Sequence, residues 1–240
     1  MKFLKWLAIT IGALVIIAVL VFGYLGFVPG VSTLFGSNKP KDLGVTYTAA
    51  DYASAHARNG TTHTILPAGA LPENSIVFSG SHAVNTVYSQ AEINALINTR
   101  QWEFYPLKNC QLRINPDNTV EFSGNIIMNR LKGYETALNL GNNMDAITKY
   151  LKFVPGNPAF YAKGTVEIAN GQIVNTSITQ FKVGKLTFTK PVQDNLSSLI
   201  SNAYSEMNAY KGFSITTLKF ANGKVQFVGT LPDSARAISK

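Results

Sequence analysis

Ser89-Gln90-Ala91-Glu92-Ile93-Asn94-Ala95-Leu96-Ile97-Asn98 holds a helix start and an apolar helix face in one short stretch. Its Ser-x-x-Glu spacing is that of a capping box, in which hydroxyl and carboxylate each satisfy a backbone N–H at the first turn. Ile93, Leu96 and Ile97 then recur at i, i+3 and i+4, so one side of the helix is apolar. After an aromatic stretch, Trp102 to Tyr105, the segments Cys110 to Asn115 and Thr119 to Met128 flank the turn signal Pro116-Asp117-Asn118. That arrangement predicts an antiparallel hairpin. A helix followed by a hairpin is the unit from which the rest of the chain is read.

Downstream the unit returns. A helix is expected over Asn142 to Val154, with Met144, Ile147, Tyr150 and Leu151 at helical spacing. Phe160 to Ile168 and Ile173 to Phe181 form a hairpin about Asn170-Gly171, a pair suited to a type I′ turn because both central residues need positive φ. In Val183-Gly184-Lys185-Leu186 the apolar phase shifts by one residue, which a bulge at Gly184 and Lys185 would correct. Pro191 suits the first turn of the next helix, whose Val192, Leu196, Leu199, Ile200, Ala203 and Met207 make a single apolar stripe. Phe213 to Phe220 and Lys224 to Thr230 close the series about Asn222-Gly223. Val120-Glu121-Phe122-Ser123-Gly124-Asn125 and Val225-Gln226-Phe227-Val228-Gly229-Thr230 share one form, with Ile76-Val77-Phe78-Ser79-Gly80-Ser81 a looser copy.

Upstream, Ser75 to Ser89 reads as extended. Val31 to about Pro72 reads as a membrane-proximal linker with one short helix, started by the capping-box spacing of Thr48-Ala49-Ala50-Asp51. Before it lies an apolar run from Trp6 to Val28, and no charged residue occurs between Lys5 and Lys39. A helix needs ~20 apolar residues to cross a bilayer. Lys2 and Lys5 precede the run, so the positive-inside rule keeps the N-terminus cytoplasmic and puts the rest of the chain outside. A cleaved signal peptide is the rival, but its apolar core is ~7–15 residues with a small-x-small site after it. Gly23 to Gly30 offers no Ala-x-Ala, which favours an uncleaved anchor.

The expectation is therefore an α+β chain: a signal-anchor transmembrane helix over 1–30, a linker over 31–73, and an extracytoplasmic domain over 74–232. A polar, frayed tail follows over 233–240. In that domain a curved antiparallel sheet packs on amphipathic helices.

Lys and Arg number 21 against 13 Asp and Glu, but they are scattered, and nucleic acid is not an expected partner of an exported domain. Cys110 is the only cysteine; it begins a strand and reads as a packed thiol, with no intrachain disulfide possible. A hydrolase acting on envelope polymers would place its chemistry at Ser81 and His82, where Ser and His come close. That stretch lacks the Gly-x-Ser-x-Gly elbow, and strand neighbours point to opposite faces. His56, His63 and His82 lack the i, i+4 spacing of a helical metal pair, and no Gly-rich phosphate loop joins a strand to a helix. No catalysis, cofactor or metal is expected.

The many aromatic residues have two readings. They fill a core, or they help line an apolar groove for an acyl chain, with Leu96, Ile97, Phe122, Phe188, Leu196, Ile200, Tyr204 and Phe227 as candidates. In the second reading the partners are the membrane, through the N-terminal helix, and a lipid ligand. In the first, the domain is a cell-envelope scaffold that binds a protein.

Ser89 to Asn98, Leu112 to Gly124, and Val183-Gly184-Lys185-Leu186 through Pro191 together resemble the YpmS-type family of signal-anchored bacterial envelope proteins. The resemblance spans about 75–230. It implies an extracytoplasmic, bacterial setting, a fold like the tubular lipid-binding superfamily, and no catalytic residues to carry over. Leu138 to Asn143 and the linker before Asn74 stand outside the pattern.

Overall fold

Both capping boxes close. Ser89 Oγ accepts from Glu92 N at 3.2 Å while a Glu92 carboxylate oxygen accepts from Ser89 N at 2.7 Å. Thr48 and Asp51 do the same at the start of the linker helix. The computed structural model describes residues 2–25, 28, 30–139, 156–210 and 212–239, with the backbone alone for residues 2–12. The helices are α1 (Lys2–Leu25), α2 (Val31–Leu34), α3 (Ala49–Asn59), α4 (Gln90–Asn98), α5 (Met128–Ala137) and α6 (Lys190–Ala209). The helix expected over 142–154 lies outside the described residues.

The chain is α+β, with helices packed on an antiparallel sheet curled into a half-barrel. Its strands are β3 (His82–Ser89), β4 (Leu107–Ile114), β5 (Val120–Ile126), β6 (Ala159–Ala169), β7 (Gln172–Val183), β8 (Leu186–Thr187), β9 (Ser214–Ala221) and β10 (Lys224–Leu231). The order runs β3-β10-β9-β6-β5-β4, and β7 and β8 continue from β6. Residue pairing explains the branch. Gly164 of β6 opposes both Val120 of β5 and Ile178 of β7, while Ile168 opposes both Leu218 of β9 and Ile173 of β7. Strands β5 and β9 therefore share one edge of β6, and β7 has the other. Register shifts in the β6–β7 and β9–β10 pairs bend these strands, as an extra residue on one strand does. At the bends a Cβ on Gly164 or Gly229 would stand 2.1 Å from the carbonyl oxygen of Ser177 or Ser214. Only glycine fits there, which accounts for the last apolar-turn residue of the Phe227-Val228-Gly229 motif.

The edge of β4 has an uncommon partner. Asn94 Nδ2 donates to Leu112 O and Asn94 Oδ1 accepts from Leu112 N, both at 2.8 Å. Asn98 makes the same pair of bonds with Cys110, and Gln90 Oε1 accepts from Ile114 N. Four residues of helix rise ~6 Å and two residues of strand ~6.6 Å, so amides at i, i+4 and i+8 keep step with every second strand residue. One face of α4 thus acts as a neighbouring strand. The adjoining stripe of the helix, with Ile93, Leu96 and Ile97, is turned to the interior.

A smaller sheet covers one side. Strand β1 (Thr62–Leu66) pairs in parallel with β11 (Ser234–Ile238), which pairs antiparallel with β2 (Ile76–Ser79). Four expectations are corrected here. The linker supplies β1 and the supposed tail supplies β11, because a strand between two partners is held by backbone bonds, and small Ala235 and Ala237 give it little hydropathy. Gly184 and Lys185 are a two-residue turn instead of a bulge: Val183 opposes Leu186, so the phase shift marks a reversal of the chain. The second hairpin strand stops at Ile126, and α5 begins at Met128.

The linker also lies on the sheet. Glu121 is buried on β5 and accepts from Lys41 Nζ at 2.8 Å, from Arg113 Nε at 2.7 Å and from the Tyr161 hydroxyl. Asn125 Nδ2 donates to Asn38 O, and Gln111 Oε1 accepts from Leu43 N. Residues 38–43 therefore form a strap across β4 and β5.

Helix α1 takes up most of the expected anchor and exposes Leu14, Val15, Ile16, Ile17, Leu20, Val21 and Phe22. Among the described residues no helix is long and apolar enough to cross a membrane, and the remainder of the expected span lies outside them.

Replacing Asn94 with Leu should cost about 2–3 kcal/mol in denaturant unfolding, because the Leu112 N–H and C=O lose their partners where water cannot replace them. Burial pushes the Glu121 carboxyl up, and the bonds from Lys41, Tyr161 and Arg113 outweigh it and bring it down to about 2. Its folded value lies below its ordinary 4.5, so this contribution is present above about pH 5 and is lost as pH falls toward 2. Glu121→Gln should flatten the acid limb of a stability-against-pH profile over that range.

Candidate functional site

Helix α6 packs on β7, and the trough beneath it is filled at one end only. Phe181, Val183 and Leu131 form a buried cluster there, covered by Phe188, Val192 and Leu196. The N-terminal half of α6 is fixed to it: Ser197 Oγ accepts from Ile178 N at 2.9 Å, and Gln193 Nε2 donates to Phe188 O at 2.8 Å. Farther along, α6 stands off the sheet. Not one of its residues is buried, although its apolar stripe continues through Ile200, Ala203 and Met207.

The space left is a partly open cavity of about 890 Å³. That is near the upper end of small-molecule sites, ~300–1,000 Å³. Val166, Ile168, Ile173, Ile215 and Leu218 of the curled sheet form its floor. Ile93, Leu96 and Ile97 of α4 and Ile200, Ala203, Tyr204 and Met207 of α6 form two walls. The small sheet contributes Thr64, Ile65, Ile76, Phe78, Ala235 and Ala237. The Tyr204 hydroxyl lies 2.7 Å from Gly171 O and 3.1 Å from Ile215 O and shares its proton between them, so the far end of α6 is tied to the β6–β7 turn.

The eight groove candidates divide evenly. Leu96, Ile97, Ile200 and Tyr204 line the cavity. The other four do not. Phe188 and Leu196 belong to the filled end, Phe122 packs edge-on against Phe160 with centroids 5.1 Å apart, and Phe227 joins the cluster of Tyr88, Ile114 and Val225. The stripe on α6 is continuous in sequence, and only the spacing between helix and sheet decides which half is covered.

Polar groups gather at one rim. His63, Thr99, Arg100, Gln101, Tyr105 and Tyr134 are all part of the lining. Burial lowers the His63 pKa, and the positive charge of Arg100 and the neighbouring His56 lower it further, so His63 is neutral near pH 7. Burial raises the phenols of Tyr105 and Tyr134, which stay protonated donors. Sequence reading missed this rim because its members come from β1, α5 and the loop after α4.

The Ser81 and His82 alternative meets a different arrangement. His82 Nδ1 lies 2.9 Å from an Asp233 carboxylate oxygen and Nε2 lies 2.7 Å from Asn59 O. Both partners are acceptors, an arrangement that favours the ring protonated on both nitrogens and leaves neither to take a proton from Ser81. His82 instead joins the end of α3 to the turn before β11. Cys110 is buried, and burial pushes its thiol up to about 12. Among the described residues no three His, Cys, Asp or Glu side chains converge as metal ligands would.

Comparison with protein-family models, with curated proteins and with solved structures returned no match.

The bonds to Asn59 O and Asp233 raise the His82 pKa. A raised value means that this link is intact below the ordinary 6.5 and is released as pH climbs through the folded value. In an NMR titration of the ring protons, Asp233→Asn should move the His82 midpoint down toward that of an unperturbed histidine. An unchanged midpoint would show that Asp233 contributes nothing to the charge.

Proposed function

We propose that this chain is a membrane-anchored, extracytoplasmic protein that binds a lipid or another acyl ligand in the cavity between α4, α6 and the curled sheet, without catalysing a reaction. The observation that carries the reading is the unburied apolar half of α6. Twenty residues of amphipathic helix, held by hydrogen bonds at both ends, turn Ile200, Ala203 and Met207 toward a space that no side chain of the described residues fills. An apolar ligand would remove that surface from water at ~25 cal/mol per Å². The lining offers few charged groups, as acyl sites do. The exposed apolar side chains of α1, together with the uncharged run that contains them, support the membrane anchor. The resemblance to YpmS-type envelope proteins points the same way.

The second reading, an envelope scaffold with a protein partner, draws on the small sheet. Strand β1 lies at its edge with Ile65 largely exposed, and an edge strand is a template for pairing with another chain.

The test is to purify the full chain, wash it free of loosely held lipid, and identify the apolar molecules retained by native mass spectrometry and solvent extraction. A near-stoichiometric lipid is expected. Leu96→Ser with Ile200→Ser should lose that lipid while circular dichroism and cooperative unfolding remain. Retention of a stoichiometric protein partner with no lipid would move the assignment to the scaffold.

A further inference from the structure

Arg100 has no ion-pair partner among the described residues, whose salt bridges involve Lys41, Arg58, His82, Arg113, Lys132, Lys190 and Lys219. It nonetheless stands in the lining of an otherwise apolar cavity, just past the end of α4. We propose that the cavity takes an acyl amphiphile with one anionic head, a carboxylate or a phosphate, which pairs with Arg100 at the rim while the chain lies between Leu96, Ile200 and Ile168. The inference rests on the lipid reading above and adds the chemistry of the head.

Three features favour an anion at this corner. Arg100 is exposed at the rim, so a head paired with it keeps contact with water while its chain enters the cavity. The groups that feel its charge, His63, Tyr105 and Tyr134, are neutral and carry N–H or O–H donors, so none cancels that charge. A guanidinium presents paired donors that match a carboxylate or phosphate edge. The other charged member of the lining is Glu206 on α6, whose charge is felt by Tyr210. An anionic head is drawn to Arg100 and repelled by Glu206.

The experiment uses the full chain in phosphatidylcholine nanodiscs and four photoactivatable probes of equal chain length: a fatty acid, a lysophosphatidic acid, a fatty alcohol and a lysophosphatidylcholine. Labelled residues are mapped by mass spectrometry, so that cavity peptides are separated from those of α1. The acid or the lysophosphatidic acid should label cavity peptides strongly and the alcohol weakly, and which of the two acids labels more assigns the head. Arg100→Gln should reduce that labelling about tenfold, the effect of losing one charge-assisted bond. Labelling of α1 should not change. Arg100→Lys should keep most of the cavity signal and Glu206→Gln should not lower it, which separates loss of charge from loss of fold. Equal cavity labelling by acids and alcohol, insensitive to Arg100→Gln, would overturn the head assignment and leave the lipid reading standing. Preference for lysophosphatidylcholine with a drop in Glu206→Gln would replace the anionic head by a zwitterionic one. Absence of cavity labelling by every probe would remove the lipid reading itself.

Discussion

The amide ladder from Gln90, Asn94 and Asn98 to the edge of β4 is the contact on which the rest of the architecture depends. A half-barrel has open edges, and an open edge exposes backbone groups that invite another chain. Here the edge is closed by side chains of a helix, and Asn94 is fully buried in doing so. Because the polar face of α4 is fixed against β4, its apolar face has a single direction left. Leu96 and Ile97 are delivered to the trough by hydrogen bonds from the adjoining stripe of the same helix.

The curl completes what the ladder begins. With β5 and β9 sharing one edge of β6, the two hairpins that follow α4 and α6 flank the same strand, and each helix lies over the sheet formed by its own hairpin or its neighbour. The trough narrows where α5 and the first turns of α6 supply Leu131, Val192 and Leu196. Beyond Ser197 the helix meets the sheet through Tyr204 and Asn208, and Ile200, Ala203 and Met207 line the space left between. A cavity results from the distance between rigid elements fixed at their ends, so it does not require any unusual residue at its own surface.

That is why the fold was far more legible than the site. Capping boxes, the turn signals at Pro116-Asp117-Asn118, Asn170-Gly171 and Asn222-Gly223, and the i, i+3, i+4 stripes are local signals, and they located α3, α4, α6 and the hairpins β4–β5, β6–β7 and β9–β10. Tertiary pairing left weaker traces. Strand β11 has small side chains and low hydropathy, and its existence depends on β1 and β2 from the other end of the domain. The Gln-x-x-x-Asn-x-x-x-Asn spacing was visible, but reading it as an edge cover requires knowing that β4 is an edge. Similarly, nothing in the stripe of α6 distinguishes Leu196, which packs, from Ile200, which faces the cavity.

The position of the cavity along β6 bears on how a ligand would reach it. Leu25 O, at the end of α1, accepts from Lys185 N in the β7–β8 turn, and Lys185 lies over the Tyr24 ring. The same turn adjoins Ala159, the first residue of β6, through Gly184 N. Ile168, on the cavity floor, is at the far end of that strand, about 30 Å away at ~3.3 Å per residue. The strap from Asn38 to Leu43 holds the sheet to the segment that follows α1, so this separation is a property of a braced structure and not of a loose tether. If α1 lies in a bilayer as proposed, the floor residues Ile168 and Ile173 are at the end of β6 away from it. The loop that carries Arg100 and Tyr105 runs into Leu107, which pairs with Ile126 beside Ala159, so the charged rim stands nearer the α1 end of the sheet than the apolar floor at Ile168 does.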